Sequence, residues 1–320
     1  MNKERTIVTL LREISHDFGF EFKTYSYDWV KALSKDGSTM YVYGYNFPLN
    51  NTCFTQIAND KACTYEILSS NNVPAVEHFY FMSPNDIHYV KYLGVNGNWK
   101  QMTALLEKYG KVVVKPNSGT GGAGLKIVSE ETELEKAVND IFSYTSTLCI
   151  SPYYEIENEF RVIMLESKPR LVFRKVRPYV VGNGKENVAL LCAKEKKKLD
   201  YSLDIDMSYI PKDGEKFEIG WKHNLGQGSA PETLSGGELY NRITNFATKA
   251  LSLLGGNFSS VDIVSINGKI YILEINSGVM MDNFANTSPE NFLIAKSIYK
   301  EAIDIYFKQS KYARKGQVQF

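Results

Sequence analysis

Lys111-Val-Val-Val-Lys115-Pro-Asn-Ser-Gly119-Thr-Gly121-Gly122-Ala-Gly124-Leu-Lys-Ile-Val128 is the stretch on which the reading of this chain turns. Three β-branched residues lead into Lys115 and Pro116, four glycines fall within the six positions 119–124, and a second apolar run follows. That order predicts strand, glycine loop, strand: a flap in a hairpin. Glycine tolerates positive φ and carries no Cβ, so successive backbone N–H groups can converge on one anion such as a phosphate, with Lys115 supplying a fixed charge at the root. A glycine-rich hairpin with no ligand has the same local pattern, so the rest of the chain must decide. Two other phosphate loops are excluded. No Gly-Lys-Ser/Thr opens a helix here, and the glycines do not stand between a strand and a helix.

The 320 residues can bury a large core and divide into two or three lobes. A formal charge of +1 and a pI near 7.6 argue against nucleic acid as a partner. No apolar run approaches the roughly 20 residues of a membrane span, and the start at Met1 does not read as a signal peptide, so the expectation is a cytoplasmic protein. Cys53, Cys63, Cys149 and Cys192 lie far apart, without ligand spacing, and are expected to be free thiols.

Upstream of the flap, Thr6 to Phe18 has a helical stripe, Tyr41 to Tyr43 is a short strand, and Asn46 to Asn51 is a turn-rich loop. Thr55 to Ser69 is expected as one helix carrying Asp60-Lys61, and Val76 to Phe81 as a strand. Downstream, Glu130 to Phe142 is an acidic-capped helix and Leu148 to Ile150 a strand running into Ser151-Pro152-Tyr153-Tyr154. Alternation over Phe160 to Met164 sets Arg161 and Ile163 on one face, with one of Arg174 or Lys175 on the same surface. The segment Trp221 to Gly228 reads as a strand ending in a glycine turn, with His223 and Asn224 placed at its end. Leu239 to Leu254 is a long amphipathic helix.

In Ser260 to Asn276 the pair Asn267-Gly268 signals a hairpin, and Glu274 and Asn276 project from one face of an otherwise apolar strand. Buried without partners they would cost a few kcal/mol, so they are expected to meet a cation or a donor network. Parity constrains Asp262. A strict two-residue turn would set it opposite Leu273 and away from Glu274, whereas one extra residue, expected as a glycine bulge at the turn, returns it to Glu274's face.

Taken in order, Asp60-Lys61, Val113-Val-Lys115-Pro with the glycine loop, Glu159-Phe-Arg161, Arg174 through Gly184, and Asp262 with Ile272-Leu-Glu274-Ile-Asn276 resemble the ATP-grasp superfamily over about residues 55–310. Within it the chain is most similar to carboxylate-amine ligases of the glutathione synthetase, cyanophycin synthetase, D-alanine-D-alanine ligase and ribosomal-protein glutamate ligase type. The resemblance implies an α+β (α/β) ATP-grasp fold with an N-terminal lobe at 1–84, a lid lobe at 85–150 and a C-terminal lobe with the metal and substrate site at 151–320. It implies an ATP-dependent enzyme that joins a carboxylate to an amine through an acyl phosphate, releasing ADP and phosphate. A kinase on the same scaffold and a non-catalytic nucleotide-binding protein are the alternatives.

The resemblance also implies roles. Lys61 and Lys115 would bind ATP phosphates beneath Ser118, Gly119, Gly121, Gly122 and Gly124. Ser151, Tyr153 and Tyr154 would line the adenine slot and Glu159 would meet the ribose, although Ser151-Pro152 departs from the acidic residue that often opens this segment, and proline offers no N–H. Asp262, Glu274 and Asn276 would hold one or two Mg²⁺ ions, or Mn²⁺ in their place, as oxygen ligands for a hard cation. Arg161 and Arg174 would hold the carboxylate and the developing oxyanion, assisted by Lys175 or Arg177. Asn224, Ser277 and Gly278 would meet substrate. The substrates would be small-molecule or peptide acids and amines, and related ligases imply a dimer or tetramer.

Overall fold

A computed structural model describes residues 4–86, 88, 91, 98–119, 122, 124–195, 197, 205–220 and 223–317. Helix α1 (Thr6–Phe18) presents Ile7, Leu10, Leu11 and Ile14 inward and stops at Gly19, whose φ of 68° suits glycine at a helix end. An antiparallel sheet of β1 (Glu21–Tyr25), β2 (Val30–Lys35) and β3 (Ser38–Tyr43) follows. The single helix expected over Thr55 to Ser69 is two, α2 (Thr52–Asn59) and α3 (Lys61–Ser70). Asp60 is extended, and its carboxylate accepts from the Cys63 N–H at 2.8 Å, so it caps a new helix rather than continuing the old one.

The flap belongs to a second sheet of order β4-β7-β5-β6, formed by β4 (Phe79–Met82), β5 (Val112–Pro116), β6 (Lys126–Val128) and β7 (Thr147–Pro152). The strand expected from Val76 begins only at Phe79, because Val76 instead donates to the Ile272 carbonyl at 2.9 Å. Helices α4 (Trp99–Tyr109) and α5 (Glu131–Phe142) cover one side, burying Met102, Leu106, Leu134, Val138 and Ile141 against Val112, Val114 and Ile150.

The third sheet has the order β12-β9-β8-β13-β14, built from β8 (Asn158–Leu165), β9 (Lys168–Val176), β12 (Ala230–Thr233), β13 (Phe258–Ile266) and β14 (Lys269–Asn276). A small excursion of β10 (Tyr179–Val181), α6 (Val188–Glu195) and β11 (Lys216–Glu218) leaves it between β9 and β12. Alternation sorts the side chains. Phe160, Val162, Met164, Val172 and Val261 pack under α7 (Gly237–Leu254) with α2 and α3, while Ile163, Leu165, Leu171 and Phe258 pack on the other face. That second core is completed by α1, the β1–β3 sheet, α8 (Asp282–Ala285) and α9 (Pro289–Gln317). Each fully buried Leu, Ile or Phe in these layers contributes about 1.5–3 kcal/mol of transfer free energy. The N-terminal residues and α9 cover only the Ile163–Leu165 end of that face. The Glu159–Arg161 end is left for the flap sheet, and the space between is the site. No helix among the described residues is long and apolar enough to cross a membrane.

Candidate functional site

A cleft of about 720 Å³ lies between the flap sheet and the open face of the five-stranded sheet. Its floor follows from strand register. Arg161 stands opposite both Phe173 and Asp262, and Asp262 stands opposite Glu274, so one face carries Glu159, Arg161, Lys175, Asp262, Glu274 and Asn276. The device that brings Asp262 to Glu274 is a bulge, but not at the turn. Asn267 and Gly268 form a tight two-residue turn with φ of 49° and 72°, and the ladder runs in step to Ile263 opposite Ile272 before it slips. Leu273 is the extra residue. It points into the cleft beside Glu274, while Ile272 and Ile275 remain in the core.

The floor is a buried charge network. Arg161 donates from Nε and Nη2 to the two oxygens of Asp262 at 2.7 and 2.6 Å, and the Lys175 ammonium reaches Asp262 at 3.1 Å and also contacts Glu159. Burial by itself would raise the Asp262 pKa, but the Arg161 and Lys175 charges outweigh it and hold this carboxyl well below the usual carboxylate range. Glu159 goes the other way, because burial outweighs its contact with Lys175 and raises it. Glu274 accepts from the Asn276 amide at 3.2 Å, so two oxygen-bearing side chains sit together at the floor's edge. Among the described residues no group of three His, Cys, Asp or Glu stands assembled for a metal. Glu274 and Asn276 fit a hard cation. Asp262 is on the right face, but its oxygens are committed to Arg161 and Lys175.

The ceiling is the flap. Lys115 projects from β5, where burial, with Lys61 adding repulsion, lowers its pKa. Lys61 opens α3 and donates to the Gly119 carbonyl at 2.7 Å. Gly119, Gly122 and Gly124 have φ of 121°, 73° and 74°, the region that glycine enters freely. Ser118, Gly119 and Gly122 line the cleft, and Gly121 lies outside the described residues. One organiser escaped the sequence reading: Asn117 is 2 % exposed, and its side-chain oxygen accepts from the Ala62 N–H at 3.2 Å, joining the flap's root to α3. Its place directly after Lys115-Pro116 was the available signal. His78 is a second. It is buried below this strand, with Nδ1 2.7 Å from the Val76 carbonyl, and burial beside Lys115 holds its pKa well below normal, so it is neutral.

At the hinge, Ser151, Tyr153 and Tyr154 line the cleft. The Tyr153 N–H is used by the sheet, donating to the Lys111 carbonyl at 3.0 Å, and the Tyr154 hydroxyl donates to Glu77 at 2.9 Å. Arg174 corrects an expectation. It stands opposite Phe160, hence on the other face, and bonds Glu232 and Asn158 rather than the cleft floor; alternation makes Lys175 the cleft residue. Arg177 lines the cleft with its Nε 3.1 Å from His223 Nε2, while His223 Nδ1 lies 2.7 Å from the Lys175 carbonyl. Asn224 also lines it and accepts from the Gly226 N–H at 2.8 Å. The Ser277 hydroxyl is not offered to the cleft. It is buried and donates to Asn46 at 3.0 Å, while neighbouring Gly278 and Asn46 itself reach the wall.

No family model matches the chain. It is 23% identical over 223 residues, 69% of its length, to the tetrahydromethanopterin:alpha-L-glutamate ligase of Methanocaldococcus jannaschii, and the match spans 58% of that protein. Among solved structures, a bifunctional glutathione synthetase from Pasteurella multocida superposes with a TM-score of 0.56 at 18% identity, covering 92% of this chain and 44% of that one. D-alanine–D-alanine ligase from Bacillus anthracis gives 0.54 at 19% identity, covering 84% and 72%. With two sheets closing on one cleft, a glycine flap above and Glu274 and Asn276 below, the chain has the ATP-grasp fold.

Proposed function

We propose that this protein is an ATP-dependent carboxylate-amine ligase that forms an amide bond through an acyl phosphate and releases ADP and phosphate. The observation that carries the reading is the confrontation across one cleft of Lys61, Lys115 and the glycine flap with Glu274 and Asn276. The fold shared with D-alanine–D-alanine ligase supports it, and the Bacillus anthracis enzyme has been crystallised with ATP. The lobes expected at 1–84, 85–150 and 151–320 would close on the nucleotide, with β4 joining the lid through its pairing with β7.

The division of labour follows from charge. Lys61 and Lys115 would take the phosphates, and an arriving anion would offset the burial and the Lys61 repulsion that together depress Lys115. Glu274 and Asn276 would hold Mg²⁺, which offsets charge on the transferred phosphoryl group when bound. Asp262, its oxygens taken by Arg161 and Lys175, would anchor those two cations beside the ion. The carboxylate of the acid substrate would lie against Arg161, Lys175 and Arg177. Attack of its oxygen on the γ-phosphorus forms the acyl phosphate. The amine then adds to the acyl carbon, loses a proton, and phosphate departs. Acyl phosphates hydrolyse readily, so a flap that excludes water protects the intermediate. A cytoplasmic location and a dimer or tetramer belong to the same reading, and light scattering tests the assembly.

The test is a pairwise panel of acids and amines with ATP and Mg²⁺, read as ADP release, with hydroxylamine added to trap a hydroxamate. Release that needs both substrates, and hydroxamate from the acid alone, is expected. Phosphorylation of a hydroxyl compound with no response to any acid would replace this reading with a kinase.

A further inference from the structure

The cleft continues past the charged floor into a compartment of different chemistry. Beyond Asn276 its walls are Trp29, Tyr43 and Tyr45 from the N-terminal sheet and Met280, Met281 and Phe284 from the segment after β14, with Asn46 and Asn283 as the polar groups. None of these wall residues carries a formal charge. Three charged groups stand behind these walls and are engaged there. Arg5 lies 4.8 Å over the Trp29 ring, Lys31 is fully buried with its ammonium 6.0 Å from the Tyr45 ring and donating to the Trp29 carbonyl at 3.1 Å and the Gly44 carbonyl at 2.5 Å, and Asp282 accepts from the Tyr45 hydroxyl at 3.0 Å.

Position assigns this compartment a reactant. Phe284 stacks on Phe173 with centroids 5.1 Å apart, and Phe173 is the direct neighbour of Arg161, so the compartment adjoins the carboxylate-binding floor on the side away from the flap. An acyl phosphate bound at that floor keeps its phosphate under the flap. The amine must reach the acyl carbon from elsewhere, and this is the open side. Burying a second carboxylate or an ammonium there without a partner would cost several kcal/mol, whereas aromatic rings and two thioethers adapt to large apolar groups.

Resting on the ligase reading, we infer that the amine substrate carries a large uncharged side group, as in a hydrophobic or aromatic amino acid or a peptide end bearing one, seated between Trp29, Tyr45, Met280 and Phe284. Glutamate, from which the Methanocaldococcus ligase takes part of its name, is a poor fit here.

With the acid substrate fixed, ADP release is measured for leucine, methionine, phenylalanine and tyrosine against glutamate, aspartate and lysine. At least a tenfold advantage in kcat/KM for the first group is expected. Met280→Arg should narrow or reverse the preference for phenylalanine over glutamate while ATP binding is kept, an outcome that simple loss of folding cannot give. Calorimetric titration of phenylalanine and glutamate into the protein with ADP and Mg²⁺ provides a readout without turnover, and saturable binding of phenylalanine alone is expected. Equal or better use or binding of glutamate overturns the inference and leaves the ligase reading intact. Binding of neither amine overturns it too. Failure of the hydroxylamine trap counts against the ligase reading, and the titration then still decides what the compartment accepts.

Discussion

Asp262 and Glu274 face each other across β13 and β14 because Leu273 is an extra residue in the ladder, four positions beyond the Lys269 that opens β14. Deleting Leu273 restores a regular ladder in which Glu274 directly follows Ile272 and still stands opposite Asp262, so both carboxylates keep the cleft face. The expected result is a kcat within about tenfold of the parent, whereas a fall of about 100-fold, as for misplacement of a group aligned with reacting atoms, would show that the bulge itself sets the geometry. Leu273→Ala keeps the bulge and should lose less still. ADP release by the two variants, with circular dichroism to verify folding, checks this.

Asp262 is 1 % exposed and holds two cations, so Asp262→Ala strands Arg161 and Lys175. Removing one member of such a buried set costs about 3–5 kcal/mol. The double variant Arg161→Met with Asp262→Leu should recover part of that loss, as urea midpoints would reveal. The folded pKa of Asp262 is depressed, so its contribution is complete above about pH 4, the unfolded value, and is lost as pH falls toward the folded value. Glu159, raised by burial, works against this trend as its own proton is taken up, so the Asp262 variants rather than the wild-type curve isolate the effect.

Lys31 gives a second pH signature of the same sense, in the alkaline range. Burial lowers its pKa to about 8. Between there and the unfolded value of about 10.4 the unfolded chain binds more protons, so stability should rise with pH. Lys31→Met removes that rise. Denaturation at several pH values from about 7.5 to 10 on both proteins tests it, since every other titrating group is common to the pair.

At the flap's root, Asn117→Ala leaves the Ala62 N–H without its acceptor and should cost about 1–3 kcal/mol, with a higher KM for ATP. Gly124→Ala attacks the same flap from its far end. It adds a Cβ at φ 74° against the Tyr144 hydroxyl and Pro116. Tyr144→Ala should not rescue it, because the backbone angle remains unfavourable. KM for ATP in the three proteins is the readout.

The chain's own pattern determined a good deal: the glycine flap between two strands, the α7 helix, the face shared by Arg161 and Ile163, and Glu274 with Asn276 as polar residues set into an apolar strand. These are local properties, fixed by glycine's missing Cβ and by the two-residue period of a strand. Three features were decided only by tertiary structure. Nothing in Tyr-Ile-Leu-Glu marks Leu273 as the bulged position, since the slip is set by pairing with β13. Choosing Lys175 over Arg174 for the cleft needed the β8–β9 register. The uncharged far compartment exists because residues 29–46 fold against residues 276–284, more than two hundred positions away, and no periodicity along a chain reports which distant segments will share a wall.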